Sequence, residues 1–327
     1  MPIKSYGFAI GNLRAKENSL LKKSDLLTFA GAEDTEQLSG YLRDKGFSDR
    51  TSNDDVPQLL KNSASNLWDY LNEISPDEGI FRPFLLENDF HNLKAAIKAT
   101  VKNTEPDNYF LLPATVDTKL LKTSALERNF ENLPEFMRNP AERAMEILLS
   151  NGDSQLCDAV IDKACMNEQL ALVGAKDYSC KLSMEIITKT VMFKNIKAAL
   201  RCAKAQKSGA FIDETLADTK HPSKSALKTA ALNGEDAVLE LMAKCGKELA
   251  DAAESYKKSP AEFERFCDDA VMETARKAKR ITFGFEPIIG YYMARKTEIQ
   301  NVRIIYSGIK TGQREEKITE RLRALYG

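Results

Sequence analysis

Residues 193–197 read Phe-Lys-Asn-Ile-Lys: an apolar residue, any residue, asparagine, an apolar residue and a basic residue. The same five-residue pattern occurs four times in the chain, with its asparagine at Asn12, Asn92, Asn195 and Asn301. Successive asparagines are 80, 103 and 106 residues apart. Near-regular recurrence of one pattern is typical of a chain built from copies of one unit, so the sequence predicts an internal repeat of roughly 105 residues.

Apolar residues recur at three- and four-residue intervals around these asparagines, as in the runs 90–101, 192–203 and 299–309. This spacing places them on one face of an α-helix, and the period-two alternation of β-strands is nearly absent. The ten prolines from Pro57 to Pro287 are expected at helix starts or in connections. The predicted fold class is all-α.

The repeat predicts three pseudo-repeated helical bundle modules, at residues 1–110, 111–215 and 216–327, arranged as a funnel or ring. Similar short segments follow the second and third asparagines. In each segment an aspartate, Asp117 or Asp213, is expected to cap the next helix. Asp162 and Asp268 each lie 33 residues before an asparagine of the pattern, which supports the same repeat.

The asparagine of the pattern is expected to point away from the bulky apolar face of its helix, where residues two before, one after and five after it lie together. In the second and third copies alanines stand beside the asparagine, at positions 95–96 and 198–199. Small side chains let a neighbouring helix approach, so that the amide can form hydrogen bonds inside the protein. We therefore expect Asn195 and Asn301 to be internal.

A basic residue follows each asparagine two positions later; the four are Arg14, Lys94, Lys197 and Arg303. Each lies beside the apolar face, where its aliphatic part can pack while its charge reaches water or a carboxylate. Two interpretations stay open. Either the asparagines and basic residues fasten helices to one another, or the basic residues line a common surface for a partner protein. The first is favoured because helical stripes usually face a core.

Composition excludes several classes of function. The 47 lysines and arginines are balanced by 48 aspartates and glutamates, so no nucleic-acid partner is predicted. No apolar run approaches the roughly 18 residues that a membrane-spanning helix needs, so any membrane association is expected to be made through another protein. The six cysteines form no Cys-x-x-Cys pair and are expected to be reduced and buried in a cytosolic protein, with disulfides as the minority alternative.

The sequence contains one pattern that resembles an enzyme. Ser225 and Lys228 form Ser-x-x-Lys, and residues 310–312 form Lys-Thr-Gly, as in penicillin-interacting serine enzymes. The intervening element of that active site is missing. In addition, Lys-Thr-Gly should lie on a strand, whereas here it follows a predicted helix.

Metal and nucleotide sites are equally unsupported. Glu87 and His91 are four residues apart on one helix, but a di-iron bundle needs two Glu-x-x-His pairs, and the chain has only two histidines. No phosphate-binding P-loop sequence is present. The sequence therefore predicts no catalytic residues, no metal site and no cofactor.

The C-terminal stretch 283–308 contains Glu-Pro at 286–287, then a tyrosine-bearing helix, then Glu-Ile-Gln-Asn-Val-Arg-Ile at 298–304. This order resembles the ending of the C subunit of archaeal and bacterial V/A-type ATPases, a family related to the d subunit of the eukaryotic V-ATPase. Tyr6, followed eight residues later by Arg14-Ala15, resembles the family's N-terminal phrase. Thr297 stands where the family commonly has an acidic residue.

The resemblance implies an all-helical, three-module protein that stands on the cytoplasmic face of a membrane rotor ring and forms a socket for the central shaft. Torque would pass through it between the ring and the ATP-hydrolysing head of an ion-translocating complex. Its partners would be the central-shaft subunits and the membrane rotor-ring subunits, with no nucleic acid, no cofactor and no membrane span of its own. The protein would be non-catalytic, cytoplasmic and peripheral to the membrane through the ring.

The main alternative is a soluble helical adaptor of another multiprotein complex. Solenoid repeats are usually about 20–50 residues long, so modules of about 105 residues favour discrete bundles over an open superhelix. A helical-bundle enzyme is the third class, and the missing catalytic patterns speak against it.

Overall fold

The computed structural model describes residues 5–47 and 53–327. Within these residues the structure is built of α-helices and short 3-10 helices, and the one β-type pairing is an isolated bridge between Lys220 and Ser223. The prediction of an all-α fold is confirmed. The 3-10 helices cover Glu78–Phe81, Asp107–Tyr109 and Arg276–Arg280. The α-helices, in chain order, are α1 (Tyr6–Glu17), α2 (Lys23–Ala30), α3 (Thr35–Asp44), α4 (Val56–Ile74), α5 (Arg82–Lys102), α6 (Thr118–Glu127), α7 (Glu135–Asn151), α8 (Ser154–Gly174), α9 (Lys181–Lys204), α10 (Gly209–Thr215), α11 (Lys224–Asn233), α12 (Glu235–Lys244), α13 (Lys247–Lys258), α14 (Pro260–Ala275), α15 (Glu286–Lys310) and α16 (Glu315–Thr319).

Helix boundaries follow local sequence signals. The Asp55 carboxylate accepts the Gln58 N–H at 3.0 Å at the start of α4. The Ser259 hydroxyl accepts the Glu262 N–H at 3.0 Å before α14, whose first residue is proline. These side chains satisfy N–H groups that have no partner within the helix. At the other end of α5, Asn103 takes the left-handed conformation (φ 53°) that stops a helix.

Nine of the ten prolines lie at helix starts or in connections as predicted, but Pro140 lies inside α7. Pro140 is the sixth residue of that helix. A proline there removes one N–H, so only the carbonyl of Phe136 loses its helical donor. The remaining turns of α7 bury Ala141, Ala144 and other apolar side chains, and this packing outweighs the lost hydrogen bond.

The two predicted capping aspartates differ. Asp117 caps α6, and its carboxylate accepts the Lys119 N–H at 2.9 Å. The prediction for Asp213 is wrong: it lies inside α10 and pairs with Lys228. Serines 208 and 223 cap α10 and α11 instead. The error arose because the segment after the third asparagine contains an additional short helix, which shifts the position of the cap.

The chain divides into two compact units. Unit one comprises Met1–Ile80, Cys180–Ile186 and Glu254–Gly327. Its core is formed by α2, α3, α4, α15 and α16, with Phe29, Leu38 and Leu59 buried against Val302 and Ile305 of α15. Helix α15 thus contributes the apolar stripe predicted around its asparagine.

Unit two comprises Phe81–Ser179 and Ile187–Ala253. Its core includes α5, α6, α7 and α8, and the apolar stripe of α5 contributes Phe90, Leu93 and Ile97. Val101, expected on the same stripe, is exposed because it lies in the last turn of α5. The three-module boundaries and the funnel or ring arrangement remain predictions.

Helix α15 approaches the segment 276–280 so closely that Gly290 has no room for a side chain. A Cβ atom at Gly290 would overlap the methyl group of Ala278 and lie 2.7 Å from the Tyr326 hydroxyl oxygen. We expect Gly290→Ala to lower the free energy of unfolding by about 1–3 kcal/mol, because added atoms in a packed core force neighbours apart. Denaturant unfolding followed by circular dichroism measures this.

Gly40→Ala is the matched control, because a Cβ there would meet no atom within 4 Å and Gly40 lies inside α3 of the same unit. Alanine is a better helix former than glycine, so this variant should be neutral or more stable by up to about 1 kcal/mol. Equal losses in both variants would contradict the close approach at Gly290.

Candidate functional site

The four asparagines of the repeated pattern occupy two different environments. Asn92 on α5, Asn195 on α9 and Asn301 on α15 are completely buried, whereas Asn12 on α1 is exposed. A buried carboxamide needs partners for its N–H donors and its oxygen, because an unpaired polar group inside a protein costs free energy. The three buried asparagines meet this need in the same way.

Asn92 holds the backbone of Leu111, 19 residues further along the chain. Its side-chain oxygen accepts the Leu111 N–H at 2.7 Å, and its amide nitrogen donates to the Leu111 carbonyl at 2.9 Å. One side chain therefore satisfies both hydrogen-bonding groups of one backbone residue, as a paired strand would. We call this pair of hydrogen bonds an asparagine clamp.

Asn195 and Asn301 form the same clamp, each with a residue 22 positions further on. Asn195 binds the N–H and the carbonyl of Ala217, both at 2.9 Å, and also donates to the Thr219 hydroxyl at 3.0 Å. Asn301 binds the N–H of Arg323 at 2.7 Å and its carbonyl at 3.1 Å. In all three copies a long helix thus fixes a non-helical segment that follows it.

The residue after the clamped one is also held in two of the copies. Asn167 on α8 accepts the Asp218 N–H at 2.9 Å, and Asp269 on α14 accepts the Ala324 N–H at 2.6 Å. In each case the extra acceptor comes from the helix that precedes, or nearly precedes, the asparagine helix in the chain. Side chains from two helices therefore fix each of these segments.

Sequence reasoning missed two buried acids that stand three residues before an asparagine of the pattern. Asp89 accepts the N–H groups of Thr115 and Val116 at 2.7 and 3.1 Å. Glu298 accepts the N–H of Leu21 at 2.5 Å. The available signal was an acid at the same offset in two apolar helices. Like the clamps, both acids hold backbone that lies outside their own helix.

The carboxyls of Asp89 and Glu298 are both removed from water, and this burial raises the pKa of each above its usual range. Glu298 is 2 % exposed and also pairs with Arg295 on the same helix. The charge of Arg295 acts in the opposite direction, but desolvation is the larger effect on the Glu298 pKa.

Asn12 has the sequence pattern without the clamp. Its side-chain oxygen accepts a hydrogen bond from the Tyr70 hydroxyl at 3.1 Å, and its helix face includes Gly11 and Ala15, which are exposed. Among residues 5–47 and 53–327, no backbone group of a later segment forms a hydrogen bond with the Asn12 side chain. Four matches in the sequence therefore correspond to three clamps.

Two of the four basic residues of the pattern, Arg14 and Lys94, form ion pairs. Arg14 pairs with Glu17 at 2.8 Å and donates to the carbonyl oxygens of Ala278 and Ile281 at 3.1 and 2.9 Å. Lys94 pairs with Asp162 on α8 at 2.6 Å. Both residues therefore fasten elements within their own unit.

The other two basic residues are placed differently. Lys197 is half-buried on α9, and Arg303 is exposed on α15, where it forms no ion pair with residues 5–47 or 53–327. Arg14 and Arg303 belong to unit one, while Lys94 and Lys197 belong to unit two. A common surface formed by all four for a partner protein remains a prediction.

Unit two contains a cavity of about 750 Å³ among α5, α8, α9 and α10. Glu87 and His91 are among the residues that line it. Glu87 pairs with Lys194 at 2.6 Å, and His91 Nε2 donates to the Tyr109 carbonyl at 3.0 Å. These contacts neutralise the charge of Glu87 and fix His91 against the short 3-10 helix Asp107–Tyr109.

The other chemical candidates are also accounted for by local structure. All six cysteines are free, and five are buried. At Cys157 and Cys180 burial raises the pKa of the thiol to about 11, which favours the unreactive protonated form. Lys310 ends α15 and Thr311 caps it, so the Lys-Thr-Gly sequence does not lie on a strand.

Among the residues that the structure describes, no three His, Cys, Asp or Glu side chains are close enough to hold a metal ion.

None of the helices within residues 5–47 and 53–327 has both the length and the apolar character required to cross a bilayer. The fold and the clamps together define an all-helical protein whose distinctive side chains hold backbone segments. Residues 9–321, nearly the whole chain, match the family model of the ATP synthase (C/AC39) subunit, so the protein belongs to that family.

Three relatives agree with this assignment. The C subunit of the V-type sodium ATPase of Enterococcus hirae is 22 % identical over 275 residues, covering 83 % of each chain. The C subunit of the A-type ATP synthase of Pyrococcus abyssi is 22 % identical over 335 residues, covering 96 % of this chain and 89 % of its own. That of Methanocaldococcus jannaschii is 22 % identical over 348 residues, covering 98 % and 86 %. The resemblance to the C subunit of V/A-type ATPases, seen in the sequence, is confirmed.

The clamps predict a sharp difference between asparagines. Asn301→Leu keeps the size of the side chain but leaves the N–H and the carbonyl of Arg323 without their partner. We expect a loss of about 1–3 kcal/mol in the free energy of unfolding, measured by denaturant unfolding. Asn195→Leu should have a similar effect.

The matched control is Asn12→Leu, which has the same sequence pattern and lies in the same unit as Asn301. Because Asn12 is exposed and holds no backbone group, its replacement should change stability by less than about 0.5 kcal/mol. A loss at Asn12 as large as that at Asn301 would contradict the clamp as the source of the effect.

The burial of Glu298 leads us to expect a specific pH dependence of the stability of the protein. Its pKa is higher in the folded protein than in the unfolded chain. Its stabilising contribution is therefore fully present below the unfolded pKa of about 4.3 and is lost as the pH rises through the folded pKa. The difference in Tm between the native protein and Glu298→Gln, which does not titrate, should shrink as the pH rises from about 4. A difference that grows with pH would show that the pairing with Arg295 outweighs burial.

Proposed function

We propose that the protein is a non-catalytic central-stalk component of a rotary V/A-type ATPase, where it forms the socket that couples the central shaft to the membrane rotor ring during ion translocation. The observation that carries this proposal is the family match over residues 9–321. The relatives that match over most of their length are named as the C subunits of V-type and A-type enzymes.

The partners in this proposal are the central-shaft subunits and the rotor-ring subunits, with no nucleic acid and no cofactor. The protein would lie on the cytoplasmic face, peripheral to the membrane through the ring. The three predicted modules, 1–110, 111–215 and 216–327, belong to the same proposal. The exposed Asn12 and Arg303 are candidates for contact with these partners.

The internal construction of the protein supports a mechanical role. A part that transmits torque must resist deformation, and close-packed interiors have low compressibility. Asn92, Asn195 and Asn301 fix segments that would otherwise be free to move, and Asp89 and Glu298 fix two more. Two ion pairs, Glu87 with Lys194 and Lys94 with Asp162, lie along the cavity of unit two, which suits a structural part better than a catalytic one.

Reconstitution tests the proposal directly. An ATPase assembled in vesicles without this chain should retain ATP hydrolysis by its head, but it should lose ATP-driven ion uptake, because the shaft and the ring are no longer connected. Adding the purified chain back should restore uptake. Loss of hydrolysis by the isolated head on omission of the chain would instead indicate a catalytic part.

Co-purification separates the proposal from the adaptor alternative. The tagged chain, recovered from detergent-solubilised membranes of its source, should bring down the head and ring subunits of the ATPase. Recovery only from soluble fractions with unrelated proteins would favour an adaptor of another complex.

A further inference from the structure

Between the end of α14 and the start of α15 lies a decapeptide, residues 276–285, that combines positive charge with an exposed aromatic ring. It reads Arg-Lys-Ala-Lys-Arg-Ile-Thr-Phe-Gly-Phe and contains no acidic residue. Lys277, Lys279 and Arg280 are exposed, and Phe283 is 67 % exposed. We call residues 276–285 the basic–aromatic loop.

The basic–aromatic loop is held firmly at its base. Arg14 donates hydrogen bonds to the carbonyl oxygens of Ala278 and Ile281. The Tyr6 ring lies 5.4 Å from the Phe283 ring and 5.0 Å from the Phe285 ring, measured between centroids. The Phe283 ring is therefore held in an exposed position. Burial of a phenylalanine side chain normally lowers the free energy, so its exposure here calls for an explanation.

The cations of the loop are largely available to an outside partner. Lys277 pairs with Glu185, but both side chains are about half exposed or more, at 60 % and 48 %, and such surface pairs contribute little. The Lys279 ammonium lies over the Tyr326 ring, 5.0 Å from its centroid. Arg280 forms no ion pair with the described residues 5–47 and 53–327.

We propose that the basic–aromatic loop docks on anionic lipid headgroups at a membrane surface. Lysine and arginine near such a surface are attracted by its negative potential, and an aromatic ring beside them can enter the boundary between headgroups and acyl chains. Both features are needed for stable attachment, because one weak anchor alone binds only marginally. An acidic surface without apolar groups would satisfy the cations but would leave the Phe283 ring without an apolar partner.

A second exposed apolar segment in the protein shows the contrast. Tyr109 and Leu112 are 64 % and 71 % exposed, but their neighbours are the acids Glu105 and Asp107, which pair with Lys122. An anionic membrane would repel these acids. This segment therefore serves as the matched control for exposed apolar area without positive charge.

Co-sedimentation of the purified full-length protein with lipid vesicles tests the proposal. Binding should be strong to vesicles that contain phosphatidylglycerol at low salt, weaker at high salt, and weak to phosphatidylcholine alone, because the attraction is screened. Arg280→Ala should reduce partitioning about fivefold. Phe283→Ser should reduce it about tenfold. Tyr109→Ser and Leu112→Ser should leave it unchanged.

Circular dichroism melts confirm that each variant is folded before its partitioning is compared. Equal binding to both kinds of vesicle, no binding to either, or loss of binding in Tyr109→Ser but not in Phe283→Ser would overturn the proposal. Retention of the protein on immobilised polyglutamate without binding to phosphatidylglycerol vesicles would also overturn it and indicate an acidic protein partner. Lipid binding by the isolated chain needs no other part of the ATPase, so its failure would leave the proposed coupling role standing.

Discussion

Three buried side-chain amides determine how the non-helical segments that follow three long helices are placed. A non-helical segment inside a protein must satisfy its N–H and carbonyl groups, and within residues 5–47 and 53–327 there is no sheet to satisfy them. Asn92, Asn195 and Asn301 supply both partners at once for Leu111, Ala217 and Arg323. Because the asparagine sits on a helix whose other face is buried in a core, the position of each segment is tied to the packing of that helix.

The free-energy cost of breaking an asparagine clamp is relevant to the proposed role of the protein. Each clamp is worth little in net free energy while it is intact, but breaking it leaves buried polar groups without partners, which is costly. The clamped segments therefore resist small displacements. Buried acids act in the same sense: Glu298 holds the backbone of Leu21, and Asp89 holds that of Thr115 and Val116. In the proposed coupling role, hydrogen bonds that keep these segments fixed to the helices would help the protein to resist deformation.

Much of this fold could be predicted from the sequence, for identifiable reasons. The three- and four-residue apolar spacing gave the helix class, and the family's C-terminal phrase gave the relationship. The burial of Asn195 and Asn301 followed from their apolar neighbours. The sequence did not show which backbone residue each amide would hold, because the partners Leu111, Ala217 and Arg323 lie 19 or 22 residues away and share no sequence pattern. Nor could five-residue similarity reveal that Asn12 is exposed, since the return of a later segment depends on tertiary structure.

Native-state hydrogen exchange, resolved to single amides, tests the clamps most directly. The amides of Leu111 and Ala217 lie outside helices but are bound by Asn92 and Asn195, so they should exchange far more slowly than the amide of the exposed neighbour Leu112, and close to the rates of core helices. The amide of Arg323 should behave in the same way. Exchange of all three as fast as that of Leu112 would contradict the clamps and, with them, the account of how this protein holds its shape.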